Sequence, residues 1–193
     1  MKRLESAQLP TKFGAFDIIA FGTDQSDAMP HLALVSKSLD LNQTISLRIH
    51  SECMTGDVFG SMRCDCGEQL AYSMQYLSDN GGILLYLRQE GRGIGLVNKL
   101  KAYNLQSEGL DTQDANTHLG FEPDQRDYDA AIKMLEDIGV QSVHLLTNNP
   151  LKIQAIKDSS IDIVERVPVL IKPHPENKDY IATKQEKMGH LSH

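Results

Sequence analysis

The chain has 193 residues, 40% hydrophobic and 23% charged, a balance that supports a buried core without a disulfide scaffold and excludes disorder. Its 19 Lys and Arg are outnumbered by 26 Asp and Glu, and a formal net charge of −7 excludes a bulk nucleic-acid binder while leaving room for a local basic pocket. No apolar run approaches the roughly 20 residues that span a bilayer, and Met1-Lys2-Arg3 leads into no apolar segment, so neither membrane insertion nor export is expected and the chain reads as cytoplasmic. In chain order, strands are expected at 13–21, 31–36 and 44–50. The last alternates, with Ile45, Leu47 and Ile49 on one face and Ser46, Arg48 and His50 on the other, so Arg48 and His50 should point together toward solvent or a cleft. A helix over 67–78 carries Leu70, Met74 and Leu77 at helical spacing and stops at Gly81-Gly82. A buried strand at 83–88 follows, then the glycine-broken stretch Gly91, Gly93, Gly95 and a helix at 96–106. A third helix at 128–138 ends on Gly139, and a strand fills 140–147. Asn149 caps a helix to 158 with Pro150 at its first position, a strand lies within 161–171, and a terminal helix spans 179–188. With no repeat and no linker, residues 1–193 read as one α/β domain, a mixed sheet flanked by helices.

The sharpest feature is Cys53-x10-Cys64-x-Cys66. Three cysteines packed into so short a stretch of a chain without an export signal point to metal binding or catalysis before disulfides. Soft ligands from two backbone segments suit Zn2+, and three ligands leave the fourth position that catalytic zinc sites keep for water. The alternatives are buried free thiols or a structural site closed by His50. His50-Ser51-Glu52 also matches the His-x-Glu half of the zinc nucleobase deaminases, but their Pro-Cys-x-x-Cys half is absent, the chain having Arg63-Cys64-Asp65-Cys66 instead.

The run from Arg48-Ile49-His50-Ser51-Glu52-Cys53 through Arg63-Cys64-Asp65-Cys66-Gly67 closely resembles GTP cyclohydrolase II of riboflavin biosynthesis. The likeness continues through Arg88-Gln89-Glu90-Gly91-Arg92-Gly93-Ile94-Gly95-Leu96, Asp114-Ala115-Asn116, Leu119-Gly120-Phe121, Leu145 to Pro150 and Glu165-Arg166-Val167-Pro168, so it covers nearly the whole chain. In many bacteria the family's domain is fused behind a dihydroxybutanone-phosphate synthase; this chain starts just before the cyclohydrolase part, which implies the monofunctional form. The resemblance implies opening of the imidazole ring of GTP, loss of C8 as formate and release of pyrophosphate, giving 2,5-diamino-6-(5-phosphoribosylamino)pyrimidin-4-one. It implies one catalytic Zn2+ per subunit on Cys53, Cys64 and Cys66, Mg2+ carried by the triphosphate, and a homodimer. Arg48, Ile49, His50, Ser51, Glu52, Gln69, Glu90, Gly91, Arg92, Thr112, Thr147 and Lys152 are expected to contact GTP. For Glu90 a bond to the guanine N1–H and amine is expected, and for Arg92 a phosphate; Arg63 is a second cation, with Arg48, near the zinc. Tyr103, Asp124 and Arg126 match the family's catalytic tyrosine, proton acceptor and proposed nucleophile. A guanidinium, with a pKa above about 12, is a poor nucleophile, so Arg126 is expected to stabilise charge at the α-phosphate instead. The polar end from Lys184 to His193 reads as a helix terminus, with no role for His190 or His193. Two other readings fit less well: a relative that stops at a formamide, and a catalytically silent GTP-binding module.

Overall fold

The computed structural model describes residues 1–122 and 124–192, and among these the side chain of Thr112 is not described. Seven strands form one mixed sheet in the order β1-β2-β3-β5-β4-β6-β7. The antiparallel part comprises β1 (Lys2–Thr11), β2 (Gly14–Gly22) and β3 (His31–Ser36), with β3 also antiparallel to β5 (Gly82–Leu87). The parallel part comprises β5, β4 (Ile45–Ser51), β6 (Ser142–Leu146) and β7 (Asp162–Val167). The helices are α1 (Met54–Asp57), α2 (Cys66–Asn80), α3 (Gly95–Ser107), α4 (Thr112–His118), α5 (Asp129–Ile138), α6 (Pro150–Lys157) and α7 (Lys178–Glu186). The expected α/β architecture is the observed one, and every expected strand and helix lies within a few residues of its counterpart.

On one face of the sheet, Leu47, Ile49, Ile83 and Leu85 pack under Ala131, Met134 and Leu135 of α5 and Ile156 of α6. On the other, Leu84 and Phe16 pack against Met74 and Leu77 of α2. Arg48 is registered beside Leu84 and His50 beside Tyr86, so both polar side chains lie on the α2 face. That face is covered as well: Arg48 and His50 are only 4% and 2% exposed, and of solvent and a cleft it is the cleft that receives them. The helix signals act as expected. Asn149 accepts the Leu151 N–H at 2.9 Å ahead of Pro150, and Gly139 ends α5 with φ 91°.

Three elements escape the sequence pattern, the shortest being α1, a single turn of four residues. β1 is an edge strand whose side chains are mostly exposed, so it carries no apolar alternation. α4 is a short polar helix capped by Asp111, which accepts from the Gln113 and Asp114 N–H groups. Its buried Ala115 and Asn116 give it little periodicity to detect.

Candidate active site

The C-terminal ends of β4, β5 and β6 open onto one cleft, the position where parallel sheets place their ligand crevices. β4 delivers Ser51, Glu52 and Cys53, β5 delivers Gln89 to Arg92, and β6 delivers Asn149.

The three cysteines converge here. Their sulfurs lie within 4.8 Å of one another, and Cys53 Sγ is 3.7 Å from Cys64 Sγ. Three sulfurs bound tetrahedrally at about 2.3 Å would be separated by about 3.8 Å, a spacing the Cys53–Cys64 pair already has, so the thiols suit a zinc ion. Two glycines permit the convergence. A Cβ on Gly56 would lie 3.0 Å from Cys64 Sγ and 3.3 Å from Cys53 Sγ, and one on Gly67 would lie 2.4 Å from the Gly56 carbonyl oxygen. His50 is not part of the cluster. Its Nε2 lies 3.1 Å from both oxygens of Asp57, which also accepts the Cys53 N–H and the Tyr86 hydroxyl. Asp57 therefore fixes the backbone of the first cysteine.

Hydrogen bonds from Cys64 and Cys66, aided by the Lys99 ammonium, hold the Cys53 thiol far below its ordinary pKa. The hydrogen bond to Cys53, with burial and the charge on Cys53, pushes Cys64 up to about 11. Lys99 donates to Cys53 Sγ at 3.1 Å and to Glu90 Oε1 at 2.7 Å. Glu90 also accepts from the Gly91 and Met54 N–H groups, so both of its oxygens are engaged within the chain, and it fastens the 90–93 turn to the cysteine loop. Tyr103, one turn beyond Lys99, shares a 3.1 Å hydrogen bond with Thr55, whose hydroxyl is 3.6 Å from Cys53 Sγ. Burial raises the Tyr103 pKa, which keeps the phenol a donor.

The rest of the cleft is basic. Among the described residues, Arg48 donates to neutral acceptors, the Leu146 carbonyl at 3.1 Å and Gln69 at 2.5 Å; Lys152 donates to the Ile49 carbonyl at 2.8 Å. Arg63 donates to the Tyr103 carbonyl and the Ser107 hydroxyl. Both terminal nitrogens of Arg92 are buried without a hydrogen-bond partner among the described residues, on a residue held at φ 61°, a left-handed conformation uncommon for a side chain of this size. Burial, together with the charges of Arg48, Arg126 and Lys184, pushes Lys152 well below the ordinary lysine pKa. Asp124 grips Arg126 at 2.8 and 2.5 Å and raises its pKa, so that guanidinium remains charged.

The cleft brings together Arg48, His50, Ser51, Glu52, Gln69, Glu90, Gly91, Arg92, Tyr103, Arg126, Lys152 and the three cysteines. Ile49 lies elsewhere: its side chain is fully buried on the opposite face, because β4 alternates, and only its carbonyl reaches Lys152. Thr147 is 1% exposed and spends its hydroxyl on the Asn149 N–H, while Asp124 stands behind Arg126. The side chain of Thr112, like His193, lies outside the described residues. Sequence reasoning missed Lys99, Tyr180, Lys184 and His190, all of which line the cleft. Lys99 had a signal, since it precedes Tyr103 by four residues on the same helix and so shares its face.

Three convergent thiols that could hold a metal, beside a basic cleft at the ends of parallel strands, are the arrangement of an enzyme that works on an anionic substrate. The family model of GTP cyclohydrolase II matches residues 2–168, and the chain belongs to that family. It is 49% identical to the GTP cyclohydrolase-2 of Buchnera aphidicola subsp. Acyrthosiphon pisum, across 99% of this chain and 98% of that protein. It is 50% and 51% identical to the riboflavin biosynthesis proteins RibBA of Staphylococcus saprophyticus and Bacillus cytotoxicus, over 95% of this chain and 46% of each of those. The chain thus spans about half the length of these RibBA relatives.

Proposed function

We propose that the protein is a zinc-dependent GTP cyclohydrolase II. It would hydrolyse GTP at C8, release formate and pyrophosphate, and yield 2,5-diamino-6-(5-phosphoribosylamino)pyrimidin-4-one for riboflavin synthesis. The observation that carries this reading is the union, in one cleft, of the three convergent thiols with Arg48, Arg63, Arg92 and Lys152, cations that have neutral hydrogen-bond partners or none among the described residues. A polyanion supplies the missing counter-charge, and a nucleoside triphosphate is long enough to reach from the cations to the cysteines.

Zinc held by Cys53, Cys64 and Cys66 supplies a Lewis acid that brings a water's pKa toward neutrality. The chain's own groups do the rest. Arg92, Arg126 and Lys152 hold the phosphates, and Asp124 orients Arg126 through its two-point grip, so that positive charge faces the α-phosphate as pyrophosphate departs. Tyr103, protonated and anchored by Thr55, donates a hydrogen bond to the oxygen that develops at C8. Glu90 acts as a fastener of its loop rather than through the guanine edge, since its oxygens are already engaged. Thr112 adds a nucleotide contact, while Thr147 and Ile49, which do not line the cleft, support it from behind through Asn149 and Lys152. Mg2+ enters on the triphosphate. We place the enzyme in the cytoplasm as a homodimer with no membrane or nucleic-acid partner.

Mass spectrometry of products after incubation with GTP, Mg2+ and Zn2+ tests the reading. Formate, pyrophosphate and a diaminopyrimidinone monophosphate support it. A retained formamide would show that deformylation is lost, and unchanged GTP beside bound zinc would leave a silent nucleotide-binding module. A covalent guanylyl adduct on Arg126 would overturn the phosphate-binding role given to that residue.

A further inference from the structure

Part of the cleft wall comes from a segment that no motif in the sequence marks. Tyr180, Lys184, Met188 and His190 line the cleft, yet all lie beyond residue 168, where the family match ends. The segment is held mainly by polar ties. Lys184 donates to Asp65 Oδ1 at 2.6 Å; the other Asp65 oxygen accepts from Gln69 at 2.6 Å, and Gln69 in turn accepts from Arg48. A continuous chain of bonds therefore runs from α7, through the loop between Cys64 and Cys66, to the foot of the cleft. Lys187 pairs with Asp111 at the start of α4, and the Leu191 N–H donates to the Asn148 carbonyl at 2.9 Å.

What the segment presents to the cleft adds to the basic groups already there. His190 lines the cleft with Arg92, Arg126, Lys152 and Lys184, and burial together with those charges pushes it down to about 3. Arg92, whose terminal nitrogens have no hydrogen-bond partner among the described residues, also bears on Tyr180. A buried guanidinium calls for an anion, and the water excluded by a closing wall strengthens each cation–phosphate contact made beneath it.

We propose that residues 180–190 form a substrate-contacting wall of the cleft, in which Lys184 and His190 bind the polyphosphate beside Arg92 and Tyr180 packs against the nucleotide. The proposal rests on the nucleotide reading above. Lys184 serves two partners: Asp65 holds it over the cleft, and the arriving phosphate shares it. His190 is neutral before substrate arrives and donates its ring N–H to a phosphate oxygen.

The test combines steady-state kinetics on GTP with hydrogen exchange of residues 178–191, with and without a non-hydrolysable GTP analogue. Removing a charge-assisted contact should raise KM about tenfold or more in Lys184→Met, with zinc content measured beside it because Asp65, between two of the cysteines, loses its partner. His190→Ala should raise KM by a smaller factor. Lys184→Arg should recover most of the loss, and Lys178→Met, which removes an exposed charge from the same helix, should match wild type. The analogue should slow exchange across 178–191. If wild type turns over GTP while KM in Lys184→Met and His190→Ala stays within twofold and exchange is unaltered, this inference is wrong and the nucleotide reading stands. A wild type that neither binds nor turns over GTP overturns both.

Discussion

The cleft has two walls held by different forces. The wall that carries the cysteines hangs from β4, whose Leu47 and Ile49 are fully buried between strands and under α5, and its loop is fixed by the Asp57 hub and the Gly56–Gly67 approach. The opposite wall, α7 and the residues after it, is anchored mainly by the buried Asn177 and Thr183 and the ion pairs of Lys184 and Lys187. Apolar burial is cooperative, and on the opposite wall the exposed Lys187 pair is weak and screened while the buried Lys184–Asp65 pair is the stronger tie. A cysteine wall seated on the apolar core thus faces a wall held mainly by polar contacts, with the Lys184–Asp65 pair as its pin.

The largest expected effect lies on the rigid wall. Cys64→Ser should lose zinc and reduce GTP turnover by more than about 100-fold, because a ligand matters at least as much as the supporting groups around a site. Metal analysis of the purified variant beside an activity assay checks this, and a variant that keeps both zinc and turnover would remove the metal site from the account. Next, Leu47→Ala should destabilise the fold by about 2–5 kcal/mol, read by denaturant unfolding, since it opens a cavity beneath both the sheet and the cleft.

Arg92 sharpens the comparison because it stands between the walls and carries cost without a hydrogen-bond partner among the described residues. Arg92→Asn places a residue that tolerates φ 61° and removes the unpaired guanidinium, so stability should rise by about 1 kcal/mol while affinity for a GTP analogue falls. Loss of both stability and affinity would mean that Arg92 is a structural residue.

The smallest effect is protonic. In the free protein, burial and the charges of Arg48, Arg126 and Lys184 depress Lys152, and His190 is depressed to about 3. An arriving polyphosphate favours the charged forms, raises both pKa values and draws protons from solution. Calorimetry of analogue binding in buffers of different ionisation enthalpy should show net uptake, and release or no exchange would contradict the charge balance given to the cleft. The same His190 shift acts on folding. Below the unfolded value near 6.5 the unfolded chain takes up a proton that folded His190 refuses, so the stability His190 contributes at neutral pH is lost as pH falls toward 3.

The two walls also differ in how far the sequence discloses them. The alternation of Ile45, Leu47 and Ile49 against Arg48 and His50, the spacing of the cysteines and the Asn149-Pro150 cap are local patterns, and each maps onto the structure. β1 and α4 have no apolar period, so no local rule finds them. Lys184 reaches Asp65 across 119 positions, and a polar helix near the chain's end offers no sign that its charges turn inward. Glu90 illustrates a different limit. Its presence in a glycine-rich turn is legible, but the three donors that occupy it, from Met54, Gly91 and Lys99, emerge only once the loops are folded together.

The most direct test of the account is a crystal structure of the zinc-loaded protein with a non-hydrolysable GTP analogue, with data collected across the zinc edge. The account predicts an anomalous peak among Cys53, Cys64 and Cys66, the guanine imidazole beside it, and phosphates between Arg92, Arg126 and Lys152 with α7 closed over them. Zinc bound elsewhere, or phosphates lying away from those cations, would contradict it.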